Sequence, residues 1–154
     1  MDFETLRWVG GSDGWLELLD QRLLPGRVRM LRCETADALA EAIRTLAVRG
    51  APAIGAAAAY GACLGARVGG SDAAEVVAGV DAACETLAAS RPTAVNLFWA
   101  LRRMRQTAHR WAADAPGDAG ESLRARLLEE AHAICAEDKA MCEAIGRHGA
   151  PLVP

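Results

Sequence analysis

Two arginines stand where a guanidinium meets the expected start of a helix. Arg49 opens the run Arg49-Gly50-Ala51-Pro52-Ala53-Ile54-Gly55, and Arg91 opens Arg91-Pro92-Thr93-Ala94-Val95-Asn96. In the first run a helix ends, a glycine turns the chain, and Pro52 is suited to the first position of a new helix. The first turn of any helix carries unpaired N–H groups and the positive end of the helix dipole, so it attracts anions. Gly50 lets a ligand come close to the backbone, and Arg49 can give a phosphate two parallel hydrogen bonds. In the second run Pro92 sets the turn, Thr93 is placed to cap, and Asn96 falls in the first turn. Together the two corners make a phosphate clamp if they meet in space. The same residues also make two ordinary capped helices with solvated arginines, and the readings part only on that meeting.

Other reactive side chains point to less. The five cysteines, Cys33, Cys63, Cys84, Cys135 and Cys142, are an odd number without a CxxC pair. They read as buried thiols of a reducing compartment. No zinc-ligand spacing joins them to His109, His132 or His148, so no metal site is expected, and no cofactor. Glu129, Glu130, Glu137 and Asp138 share one expected helix and read as a charged face rather than an acid–base pair. Arg102, Arg103, Arg105 and Arg110 read as a solvated face of another.

Short strands and long helices must position these residues. Residues 5–9, 15–19 and 28–33 read as three strands broken by Gly10-Gly11-Ser12-Asp13-Gly14 and Leu24-Pro25-Gly26, an antiparallel meander. Such a sheet needs something to pack on. Thr35 caps a helix whose apolar stripe is Leu39, Ile43, Leu46 and Ala47, and Gly50 is placed to end it. The next helix carries Gly55, Gly61 and Gly65 among alanines, which lets other backbones approach closely. Ser71-Asp72 caps a third helix to about residue 89, Thr93 caps a fourth, and after a polar loop at 114–120 a fifth spans 121–146. The fold class is therefore α+β: a small three-stranded antiparallel sheet followed by a bundle of about five helices. Residues 1–34 form the sheet, 35–148 the bundle, and 149–154 a linker.

The phrases from Arg49 to Gly55 and from Ser90 to Leu101 resemble the hallmark segments of methylthioribose-1-phosphate isomerases. The stretches from Leu18 to Pro25 and from Glu137 to Pro154 fit the same family in the same order. Ribose-1,5-bisphosphate isomerase and the regulatory subunits of the translation initiation exchange factor are more distant relatives. The resemblance implies an aldose-to-ketose isomerisation in methionine salvage, with Arg49, Gly50, Ala51 and Arg91 holding a sugar phosphate and Asn96 behind them. It places the catalytic cysteine and aspartate in a Rossmann-like carboxy-terminal half absent from these residues, so no catalytic residue is assigned in this chain. It also implies a homodimer of the full-length protein. The alternative is a non-catalytic binding module akin to the exchange-factor subunits.

The bulk properties agree with an ordinary globular domain. The chain has 154 residues, 52% hydrophobic and 24% charged, with a net charge of -3. That balance gives no basic face for nucleic acid. The most apolar stretch, residues 51–68, is alanine and glycine rich and suits an interior helix better than a membrane span. Met1-Asp2-Phe3-Glu4 does not begin a secretion signal, so a cytoplasmic location is expected.

Overall fold

The computed structural model describes residues 4–115 and 117–153. The start of the chain on which the lack of a secretion signal was read, Pro116 of the polar loop, and Pro154 of the expected linker lie outside these residues.

Strands β1 (Leu6–Val9), β2 (Trp15–Leu19) and β3 (Met30–Cys33) form an antiparallel sheet in the order β1-β2-β3. Leu6 pairs with Leu18 and Trp8 with Leu16, while Leu16 and Leu18 face Cys33 and Leu31 on the other side. The alternation of β2 explains the packing: Leu16 and Leu18 are buried, and Glu17 between them points outward to Arg7. A short 3-10 turn, Gln21–Leu23, follows β2.

Five helices come next: α1 (Ala36–Arg44), α2 (Ala51–Ala66), α3 (Ala73–Ser90), α4 (Val95–Asp114) and α5 (Gly120–Gly149). Thr35 caps α1 by accepting from the Ala38 N–H at 3.1 Å, and Asp72 caps α3 by accepting from Ala74 at 2.7 Å. Helix α2 is the axis of the domain. It is buried from Ile54 through Ala66, and it touches every other helix and the sheet. Its small residues permit this. At Gly65 a side chain would collide with Ala83 and with the Gly79 carbonyl of α3.

Four local expectations are corrected. Helix α1 ends at Arg44 rather than at Gly50. Leu46 leaves the helical region (φ 61°) and is exposed, whereas Ala47 and Val48 are fully buried. The apolar run 46–48 therefore anchors a crossing segment and does not extend a helical stripe. Pro52 is the second helical residue of α2, behind Ala51. Thr93 does not cap α4: residues 91–94 close a turn, with Ala94 N–H donating to the Arg91 carbonyl at 3.1 Å, and Ala94 becomes an N-cap without a side-chain bond. Helix α5 runs on to Gly149, and Ala150–Leu152 is a 3-10 turn, so ordered structure continues into the expected linker.

The arginine face of α4 is also only partly solvated. Arg103 reaches Glu130 and Glu137 of α5, and Arg105 reaches Asp81 and Glu85 of α3. Arg102 and Arg110 stay exposed. Glu130 is buried and also takes Arg126, so two guanidiniums satisfy one interior carboxylate.

Candidate anion-binding site

Helices α2 and α4 start side by side. A Cβ at Gly55, in the second turn of α2, would stand 3.3 Å from the carbonyl oxygen of Asn96 in the first turn of α4. A side chain at this position would be tight against α4 and would push the two helix starts apart by a few tenths of an ångström. Neither start has a side-chain cap: the N-cap of α2 is Gly50 and that of α4 is Ala94. Two positive dipole ends with uncapped N–H groups therefore stand together, and each favours negative charge.

A cavity of about 280 Å³ opens at this junction, lined by Ala51, Ile54, Arg91 and residues 93–96. Asn96 and Val95 are shared with a second cleft of about 400 Å³, whose walls include Pro52, Trp99, Met141, Glu137 and Asp138. Pro52, Ala56 and Asp138 are shared in turn with a third, of about 520 Å³, that reaches Gly50, Cys135, Lys139 and Cys142. The clefts thus wrap the first turns of α2.

Of the residues singled out by sequence, Ala51, Arg91 and Asn96 line one cavity. Gly50 lines the third. Arg49 is exposed at the corner beside them and lines none of these three cavities. Among the described residues, no carboxylate pairs with Arg49 or Arg91. Among the described residues Arg27, Arg29, Arg67, Arg102, Arg110 and Arg147 likewise hold none, so it is the position of Arg49 and Arg91 at the helix starts that sets these two apart.

Gly50 has a backbone of φ 100° and ψ 128°, and a side chain there would meet nothing within 4 Å. Its need for glycine is conformational, because this region is strained for any residue with a Cβ. The peptide before it is held from outside. Gln21 donates from Nε2 to the Arg49 carbonyl at 3.2 Å and from its backbone N–H to the Ala47 carbonyl at 2.8 Å.

The far wall is acidic. Glu137 and Asp138 line the second cleft, so the acidic side of α5 is more than a solvated face. The hydrogen bonds from Arg103 hold the Glu137 carboxyl below the usual range, so it is ionised at neutral pH. Trp99 lies against Arg103, with 5.5 Å from the guanidinium carbon to the ring centre. The cleft is thus positive at the helix starts and carries Asp138 and the Arg103-paired Glu137 on the α5 side, with an apolar wall between. Sequence reasoning missed Gln21, Trp99 and Met141 as contributors. Trp99 and Gln21 fall inside the phrases that carried the family resemblance, but nothing in their spacing signalled a role.

No metal-holding group of three His, Cys, Asp or Glu side chains occurs among the described residues. No helix among them is long and apolar enough to cross a membrane. Cys33, Cys63 and Cys84 are buried as expected, whereas Cys135 is half-buried and Cys142 exposed. Burial pushes the Cys84 thiol up to about 12 and raises Cys33, Cys63 and Cys135 as well, so these four are poor nucleophiles.

A three-stranded antiparallel sheet followed by five helices is a fold this chain shares with solved proteins of one family. The chain belongs to the initiation factor 2 subunit family, whose model matches residues 47–154. Within that family it is similar to the methylthioribose-1-phosphate isomerase of Syntrophotalea carbinolica, at 54% identity over 150 residues. That match covers 97% of this chain and 42% of the relative, so the chain spans well under half the length of such relatives. Among solved structures, the 5-methylthioribose 1-phosphate isomerase of Pyrococcus horikoshii superposes with a TM-score of 0.86 at 34% identity. That superposition covers 97% of this chain and 40% of the other. The delta subunit of translation initiation factor eIF-2B from A. fulgidus gives a TM-score of 0.85 at 36% identity. It covers 99% of this chain and 42% of that one.

Proposed function

We propose that this chain is the substrate-holding part of an aldose–ketose isomerase acting on 5-methylthioribose 1-phosphate, within methionine salvage. The observation that carries the reading is the pair of uncapped helix starts brought together at Gly55 and Asn96, with Arg91 in the same cavity. An anionic end group fits the positive side, with Arg91, Arg49 and the N–H groups of Gly50 and Ala51 as donors. The ring and hydroxyl groups lie toward Asn96 and the acidic wall, because carboxylates accept from hydroxyl donors. Holding the phosphate at one end fixes C1 and C2 for a reaction whose acid and base come from elsewhere in the enzyme. No residue of this chain is assigned the proton or hydride movement. The ligand is a soluble metabolite rather than nucleic acid or a membrane, and the full-length enzyme is a cytoplasmic homodimer that needs no cofactor.

The test is substrate use by the full-length enzyme carrying Arg91→Ala. A direct guanidinium–phosphate pair makes this change cost roughly 2–4 kcal/mol in kcat/KM. A loss of less than tenfold rules out the direct contact. The second reading, a binding module without turnover, is supported by the likeness to the A. fulgidus subunit. Full-length protein that binds the sugar phosphate but does not convert it would favour that module.

A further inference from the structure

The stretch Asp20-Gln21-Arg22 follows β2 and bonds to the segment that joins α1 to α2. Asp20 is almost wholly buried, and its carboxylate accepts from Arg22 three times: the backbone N–H at 3.2 Å, Nε at 2.7 Å and Nη2 at 2.8 Å. The other guanidinium nitrogen donates to the Thr45 hydroxyl at 3.1 Å. Gln21, fixed between them, holds the Ala47 and Arg49 carbonyls. Beyond α1 and α2 themselves, Gln21 and Arg22 are the only hydrogen-bond partners of segment 45–50 among the described residues.

That segment is unusual in carrying two residues with positive φ, Leu46 at 61° and Gly50 at 100°. The bonds from Arg22 and Gln21 fall on both sides of Leu46 and on the peptide before Gly50. In a trans peptide the C=O and the following N–H point in opposite directions. Tying the Arg49 carbonyl to Gln21 therefore turns the Gly50 N–H away from Gln21, and that N–H has no backbone partner among the described residues.

We infer that Gln21, braced by the Asp20–Arg22 pair, is a positioning residue that aims the Gly50 N–H at a bound phosphate. The inference rests on the anion-binding reading given above. Gln21 touches no ligand itself. It acts through the plane of the Arg49–Gly50 peptide, and the left-handed backbone at Gly50 leaves that plane with no helical neighbour to hold it.

The test is titration of the whole chain with inorganic phosphate, followed by the amide NMR signals of Gly50 and Ala51, together with thermal unfolding. Gln21→Met keeps the length and removes the donor. It is expected to weaken phosphate binding about tenfold and to abolish the shift of the Gly50 amide, with the unfolding temperature lowered by only about 2–4 °C. Gln21→Lys restores a donor but also brings a cation, so the readout is the Gly50 amide shift: it is expected to return, and affinity recovered without that shift overturns the inference. If Gln21→Met binds phosphate as the unsubstituted protein does, with the same Gly50 shift, this inference alone is overturned. If the unsubstituted protein shows no phosphate response, the anion site falls and the inference falls with it.

Discussion

Gly50→Ala separates backbone strain from packing, because the site is sterically open. A Cβ at Gly50 would meet nothing within 4 Å, so the whole effect comes from φ 100°. Holding an alanine there costs about 1–3 kcal/mol. The chain can instead relax toward negative φ, but that rotates Arg49 away from α2 and breaks the Gln21–Arg49 bond, a loss of about 1 kcal/mol. Either route destabilises, and for a domain of this size it lowers the unfolding midpoint by roughly 3–10 °C. Gly146 supplies the control. It is also open within 4 Å, but it lies in α5 without a positive φ. Gly146→Ala should therefore stabilise by about 0.5–1 kcal/mol through helix propensity. The assay is calorimetric or urea unfolding of both variants, with phosphate titration alongside. Phosphate affinity should fall for Gly50→Ala and stay unchanged for Gly146→Ala. Shifts of the same sign and size for the two variants would refute the backbone reasoning.

Two further outcomes follow from charge and burial. The hydrogen bonds from Arg22, outweighing burial, hold the Asp20 carboxyl below the usual range, so the folded chain binds that proton less readily than the unfolded one. The stability this contributes is complete above about pH 4 and is lost as the pH falls further. Urea unfolding between pH 3 and 7 should show that decline, and Asp20→Asn should make it shallower; an unchanged slope would rule out Asp20 as a source. Thiol labelling of the native chain, read by mass spectrometry, should modify Cys142 first, Cys135 slowly, and Cys33, Cys63 and Cys84 only on unfolding. Early labelling at Cys63 would contradict the packing of α2.

The elements with strong local signals were legible without a structure. The flanking turn residues mark β2, the side chains of Thr35 and Asp72 mark two helix starts, and the alanine–glycine run marks α2 as the interior helix, because each signal depends on a few neighbouring residues. Arg49, Gly50, Ala51, Arg91 and Asn96 were legible as candidates for the same reason, since a helix start is a local event. Where distant contacts decide, the sequence pattern misleads. Leu46 fits the stripe of α1 by spacing, yet the chain leaves the helix there because Ala47 and Val48 are buried and residues 21–22 capture the turn from the sheet side. Arg103 and Arg105 look like a solvated face until α3 and α5 bring carboxylates to them. The meeting of the two helix starts belongs wholly to the tertiary structure. Residues 55 and 96 carry no mutual signal along the chain, and only the packing of α2 against α4, with no Cβ at Gly55, sets their uncapped N–H groups around one cavity.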